Sequence, residues 1–119
     1  ICGIGGQDGA YLAAHLIANG YAVIGTSRDA QASRFEGLSA LGIRDRVTVV
    51  SMSPVDFRST LQAVTRAAPD EIYNLAGQSS VGLSFDQPVE TFESIVVGTV
   101  NLLEAIRMLG QPVRLYNAG

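Results

Sequence analysis

Three glycines, at positions 3, 6 and 9, open the chain in "ICGIGGQDGAYL", between a short apolar segment and a helix-like pattern. At such a turn glycine lets the backbone reverse tightly and leaves space for a pyrophosphate to approach. A helix N-terminus behind the turn adds free N–H donors and a partial positive charge. The spacing Gly3-x-x-Gly6-x-x-Gly9 differs from the commoner G-x-G-x-x-G, and glycine supplies 13 of the 119 residues. The reading therefore rests on context, strand then turn then helix, and it predicts a dinucleotide site.

A second position bears on which dinucleotide. Roughly 20 residues past such a turn, an acidic residue at the end of the next strand binds the adenosine ribose of NAD. This chain has "TSRD" there, with Ser27 at the acidic position and Arg28 after it. A guanidinium pairs bidentately with a 2′-phosphate, so NADP is the expected cofactor. Asp29 leaves two alternatives open: it could neutralise Arg28, or serve as the ribose acid itself.

Other chemistry is thinly represented. The chain has eight arginines and no lysine, so no mechanism that needs a catalytic lysine can be completed by these residues. His15 has no metal-spaced partner and reads as a helix-surface or satisfied residue. Cys2 reads as a buried strand residue with no basic neighbour to activate it. Asp70-Glu71 reads as a solvated turn after Pro69, and no metal site is expected. A net charge of −3 argues against a nucleic-acid partner. No apolar run approaches the roughly 18 residues of a membrane span, so no membrane partner is expected. No secretory signal is visible, and one cysteine permits no internal disulfide; both fit a cytoplasmic setting.

The elements that must position these residues alternate along the chain. Ile1-Cys2 reads as the tail of a buried strand. Tyr11, Leu12, Leu16 and Ile17 then recur at helical spacing up to Asn19-Gly20. "YAVIGT" (21–26) and "VTVVS" (47–51) are apolar strands suited to a parallel sheet. Between them lies a polar stretch with a short helix near residues 35–41. Asp56 fits a helix cap, followed by a face of Phe57, Leu61, Val64 and Ala68 that stops at Pro69. "EIYNLA" (71–76) is a strand and residues 77–87 a long polar loop. Pro88 starts a helix carried by Phe92, Ile95, Val96, Val100, Leu103 and Ile106 to Gly110. "VRLYNAG" closes as a last strand. This order predicts one α/β domain over residues 1–119, a doubly wound, Rossmann-like parallel sheet incomplete at both ends.

With these residues in place, the sequence resembles the extended short-chain dehydrogenase/reductase family, which acts on nucleotide sugars. More narrowly, "GGQDGAYL", "YNLAGQSSVGLSF", "GTVNLLEA" and "YNAG" resemble the GDP-mannose 4,6-dehydratases, and similar segments occur in related GDP- and CDP-sugar enzymes. The resemblance implies a dehydratase that oxidises C4 of the hexose, eliminates water across C5–C6 and returns the hydride to C6, with NADP regenerated in each turnover. It places Gly3, Gly6 and Gly9, with Gln7 and Asp8 between them, at the pyrophosphate, and Arg28 at the 2′-phosphate. It sets Ser51 and Met52 at the adenine, and Leu75, Ala76 and Gly77 along the ribose and nicotinamide. Ser79, Ser80 and Ser84 fall near the sugar, and a homo-oligomer, dimer or tetramer, is implied.

Departures qualify the resemblance. Cys2 replaces the family's Thr. Ser51-Met52 stands where the family often has Asp-Leu, so the Asp contact to adenine is expected to be lost. Ile95 replaces an Asn, which suggests helix packing there. The family's Ser/Thr, Glu and Tyr-x-x-x-Lys do not occur within these residues, so no catalytic residue is assigned and the segment by itself is expected to be inactive. Another epimerase or reductase of the family, or a silent NAD(P)-binding module, is the alternative.

Overall fold

The computed structural model describes residues 1–118, arranged as one compact unit, Ile1–Met52, and a second that begins at Ser53.

In the first unit the glycine turn leads into α1 (Gln7–Ala18), followed by β1 (Val23–Ser27), the short α2 (Glu36–Ala40), a tight turn at Arg44–Arg46, and β2 (Val47–Ser51). β1 and β2 run parallel, with Val23 opposite Val47 and Ser27 opposite Ser51. The expected first strand is reduced to one parallel bridge, Cys2 to Thr26. The buried face of α1 is Gly9, Ala10, Ala13, Leu16 and Ile17, so small residues at its N-terminal end allow close packing. Tyr11, expected on that face, is 59% exposed. β1 begins two residues later than the apolar run, because the Tyr21 N–H still donates to the Leu16 carbonyl at the end of α1 (3.0 Å). "VTVVS" forms β2 over the expected residues.

In the second unit α3 (Phe57–Ala67) is capped by Asp56, whose carboxylate accepts from the Ser59 N–H at 3.1 Å. The helix ends at Ala68, which takes the left-handed conformation of a helix cap while its N–H still donates to the Val64 carbonyl at 2.9 Å, and Pro69 prevents the helix from continuing. Its fully buried residues are Thr60 and Val64, with Phe57 and Leu61 half-buried. Thr60 enters the core because its hydroxyl donates to the Ser53 carbonyl at 3.3 Å.

β3 (Glu71–Asn74) pairs in parallel with β4 (Arg114–Asn117), from Glu71 opposite Arg114 to Asn74 opposite Asn117. Glu71 is therefore not part of a solvated turn. It meets Arg114 at 3.1 Å and accepts from the Tyr73 hydroxyl at 2.9 Å. Gly119, expected in the last strand, lies outside the described residues.

The expected loop 77–87 contains a helix, α4 (Val81–Asp86). Its polar residues build it: Ser80 caps it by accepting from the Leu83 N–H, and the Ser84 hydroxyl donates to the Val81 carbonyl at 2.6 Å. α5 (Pro88–Phe92) begins with proline in its first turn and continues through a π-turn (Glu93–Val97) into α6 (Gly98–Leu109), which packs on α3 and stops at Gly110. Among the described residues no helix is long and apolar enough to cross a membrane, and no cluster of three or more His, Cys, Asp or Glu could hold a metal ion.

Candidate functional site

The glycine turn is anchored to β1 by three backbone hydrogen bonds. The Gly3 and Ile4 N–H groups both donate to the Thr26 carbonyl at 3.2 Å, and the Thr26 N–H donates to the Ile1 carbonyl at 2.9 Å. Gly3 sits at φ 84, and the chain then folds back so closely that a Cβ on Gly9 would lie 2.6 Å from the Gly3 carbonyl oxygen. Gly9 holds α1 against the turn, the third glycine's role in a dinucleotide fold. Gly6 is the N-cap and supplies no side-chain acceptor. The first N–H groups of the helix, at the exposed Gln7 and Asp8 and the buried Gly9, thus have no acceptor within it, the arrangement that suits an anion.

Arg28 leaves the end of β1 exposed, and among the described residues its guanidinium forms no ion pair. Asp29 is committed elsewhere: its Oδ1 accepts from the backbone N–H groups of Gln31 (3.2 Å) and Ala32 (2.9 Å) and closes the loop on itself. Ser51 ties that loop to the end of β2 by accepting from the Ala30 N–H at 3.0 Å. The Met52 side chain is buried, and its backbone N–H donates to the Ser27 carbonyl at 2.8 Å.

An open cleft of about 730 Å³ lies beside the turn, with Gly5, Gly6 and Gln7 on one wall and Ser33, Arg34 and Phe35 on the other. Phe35 is buried at φ 50, and Arg44 stacks on its ring at 5.2 Å. Arg34 was not singled out from the sequence, where the only signal is a second arginine in the polar stretch after β1. Cys2 is buried as expected, and burial pushes its thiol up, away from the thiolate.

The second unit carries the remaining assigned residues. Leu75 and Ala76 are half-buried after β3, and Gly77 is exposed at φ 144. The Ala76 N–H donates to the Asn74 side chain at 3.3 Å, and the Gln78 N–H to the Ser94 hydroxyl at 3.1 Å. Ser79 is exposed, whereas the hydroxyls of Ser80 and Ser84 bond locally to α4. Ser94 had no signal in the sequence, because nothing there marks a π-turn. Ile95, expected to pack within its helix, is 40% exposed.

Parallel strands with intervening helices and a glycine turn feeding an uncapped helix define the dinucleotide-binding α/β class. The fold agrees with solved structures: the chain superposes on the Thermus thermophilus UDP-glucose 4-epimerase, solved as a complex with NAD, with a TM-score of 0.78 and 28% identity over 92% of this chain and 33% of that one. Residues 1–119 match the family described as GDP-mannose 4,6 dehydratase. A GDP-mannose 4,6 dehydratase of Drosophila melanogaster is 41% identical over 99% of this chain and 32% of its own length. One of Vibrio cholerae is 37% identical over 99% of this chain and 34% of its own length. The chain belongs to the GDP-mannose 4,6-dehydratase family. It spans about a third of the length of these relatives.

Proposed function

We propose that the full-length polypeptide carrying these residues converts GDP-mannose to GDP-4-keto-6-deoxymannose with NADP held throughout. The family match across residues 1–119 carries this reading. Bound NADP would supply the hydride acceptor and donor. The residues present fit that group: the uncapped N-terminus of α1 offers N–H donors to a pyrophosphate, and the exposed Arg28, without an ion pair among the described residues, offers a guanidinium to a 2′-phosphate.

Within the proposal, Gly3, Gly6, Gln7, Asp8 and Gly9 hold the pyrophosphate, and Ser51 and Met52 border the adenine through polar and backbone groups. Leu75, Ala76 and Gly77 take the ribose and nicotinamide side, and Ser79, Ser80 and Ser84 the sugar. Catalytic acid/base groups are not assigned to these residues. Exposed apolar residues on the helical segments after β3, among them Phe85, Val89, Phe92, Val100 and Leu103, are the face offered for the self-association, dimer or tetramer, that the resemblance implies. The single cysteine, Cys2, can form no internal disulfide, which fits a cytoplasmic setting.

The likeness to an epimerase structure keeps one second reading in view, epimerisation of a nucleotide sugar. Incubating the full-length protein with GDP-mannose and a trace of NADP separates the two. The proposal expects a 4-keto-6-deoxy product with no net reduction of the cofactor. An epimerised sugar would establish the second reading, and cofactor binding without turnover would leave a silent module.

A further inference from the structure

The π-turn Glu93–Val97 interrupts an otherwise α-helical run, and such single wide turns recur at functional sites. Here it brings two side chains to the loop after β3. The Ser94 hydroxyl donates to the Thr91 carbonyl at 3.0 Å and accepts from the Gln78 N–H at 3.1 Å. The first bond fixes the rotor, so that a lone pair stays turned to Gln78. Ile95 Cγ1 lies 3.6 Å from where a Cβ of Gly77 would stand, against a backbone at φ 144 that glycine tolerates best.

At the other end of the same segment, the buried Asn74 accepts from the Ala76 N–H at 3.3 Å and donates to the Asn117 side chain at 2.7 Å. Residues 75–77 are thus held from the strand by Asn74 and from the helix by Ser94. The β3–β4 register ends at Asn74, so residues 75–77 lie outside the strand pairing.

We infer that Ser94 is a positioning residue, presented by the π-turn, that sets Leu75–Gly77 for the nicotinamide–ribose half of the cofactor. This rests on the cofactor assignment of Leu75–Gly77 proposed above. Ser94 acts through the Gln78 amide and touches no reacting group.

The test uses the full-length protein with Ser94→Ala and Ser94→Thr, titrated with NADP and with 2′,5′-ADP, which carries only the adenine half. Ser94→Ala should weaken NADP about three- to tenfold, the loss of one net hydrogen bond. It should leave 2′,5′-ADP binding unchanged, lower the melting temperature only slightly, as loss of one hydrogen bond does, and speed amide exchange at Gln78. Ser94→Thr, which keeps the hydroxyl, should restore NADP binding. Unchanged NADP affinity in Ser94→Ala, or equal weakening of both ligands, overturns the inference. Should the alanine variant not fold, Ser94→Val against Ser94→Thr gives the same comparison, methyl against hydroxyl. Wild-type protein that binds neither ligand overturns the cofactor assignment, and this inference with it. Wild-type binding with an indifferent variant overturns the role of Ser94 alone.

Discussion

At Gly9 the first helix and the turn before it compete for the same space, and a methyl group decides the contest. Its Cβ would meet backbone, the Gly3 carbonyl oxygen at 2.6 Å and the Ile4 Cα at 3.0 Å, so no flexible side chain can yield. Gly9→Ala is expected to lose about 1–3 kcal/mol of stability, the usual range for overpacking, and to weaken cofactor binding by displacing the first N–H groups of α1. Denaturant unfolding and a cofactor titration measure both, and a variant with wild-type midpoint and affinity would contradict the account of the turn. The same scale bears on "TSRD". Asp29 spends one carboxylate oxygen on two backbone donors of its own loop, and Arg28 is left without an ion pair among the described residues. Sequence could not separate these, because adjacent residues in a loop owe their directions to hydrogen bonds that spacing does not encode.

The elements show where a one-dimensional pattern suffices. "VTVVS" was legible as β2 because an uninterrupted β-branched run has few alternatives. Asp56 and Pro69 marked both ends of α3 through local chemistry, a side-chain acceptor and a steric stop. Asp56→Ala should therefore cost about 1 kcal/mol, as loss of an N-cap commonly does. Ser80→Ala, which removes only a 3.4 Å exposed bond from the short α4, should change stability far less. Denaturant midpoints of the two variants check the ordering, and equal losses would contradict it. α4 itself was hidden inside a serine-rich stretch that reads as loop, since serine favours caps and turns over helix interiors. The π-turn was hidden for a different reason: one extra residue per turn leaves the apolar spacing of Phe92, Val96 and Val100 compatible with an ordinary helix. Tyr21 and Ala22 looked like strand, but the closing turn of α1 claims the backbone at Tyr21.

Across the molecule, the class of fold was visible in the alternation of strand and helix, and the structure supplies two parallel pairs, β1 with β2 and β3 with β4. The glycine turn was legible because strand, turn and helix occur in sequence. Arg34 and Ser94 were not, because both reach their sites through the path of a loop or a distorted helix. Absence of lysine was equally plain in the sequence: in the proposed reading these residues form the nucleotide cradle, and the Tyr-x-x-x-Lys pair that the resemblance implies is not among them. The central claim is that this cradle takes NADP and that Arg28 distinguishes it from NAD. The most direct measurement is titration of the full-length protein and of Arg28→Ala with both cofactors. The account predicts tighter binding of NADP by the wild type, and loss of that preference in the variant by about ten- to a hundredfold, the worth of a charge-assisted hydrogen bond. Equal affinity for NAD and NADP in the wild type, or a preference that survives in Arg28→Ala, would contradict it.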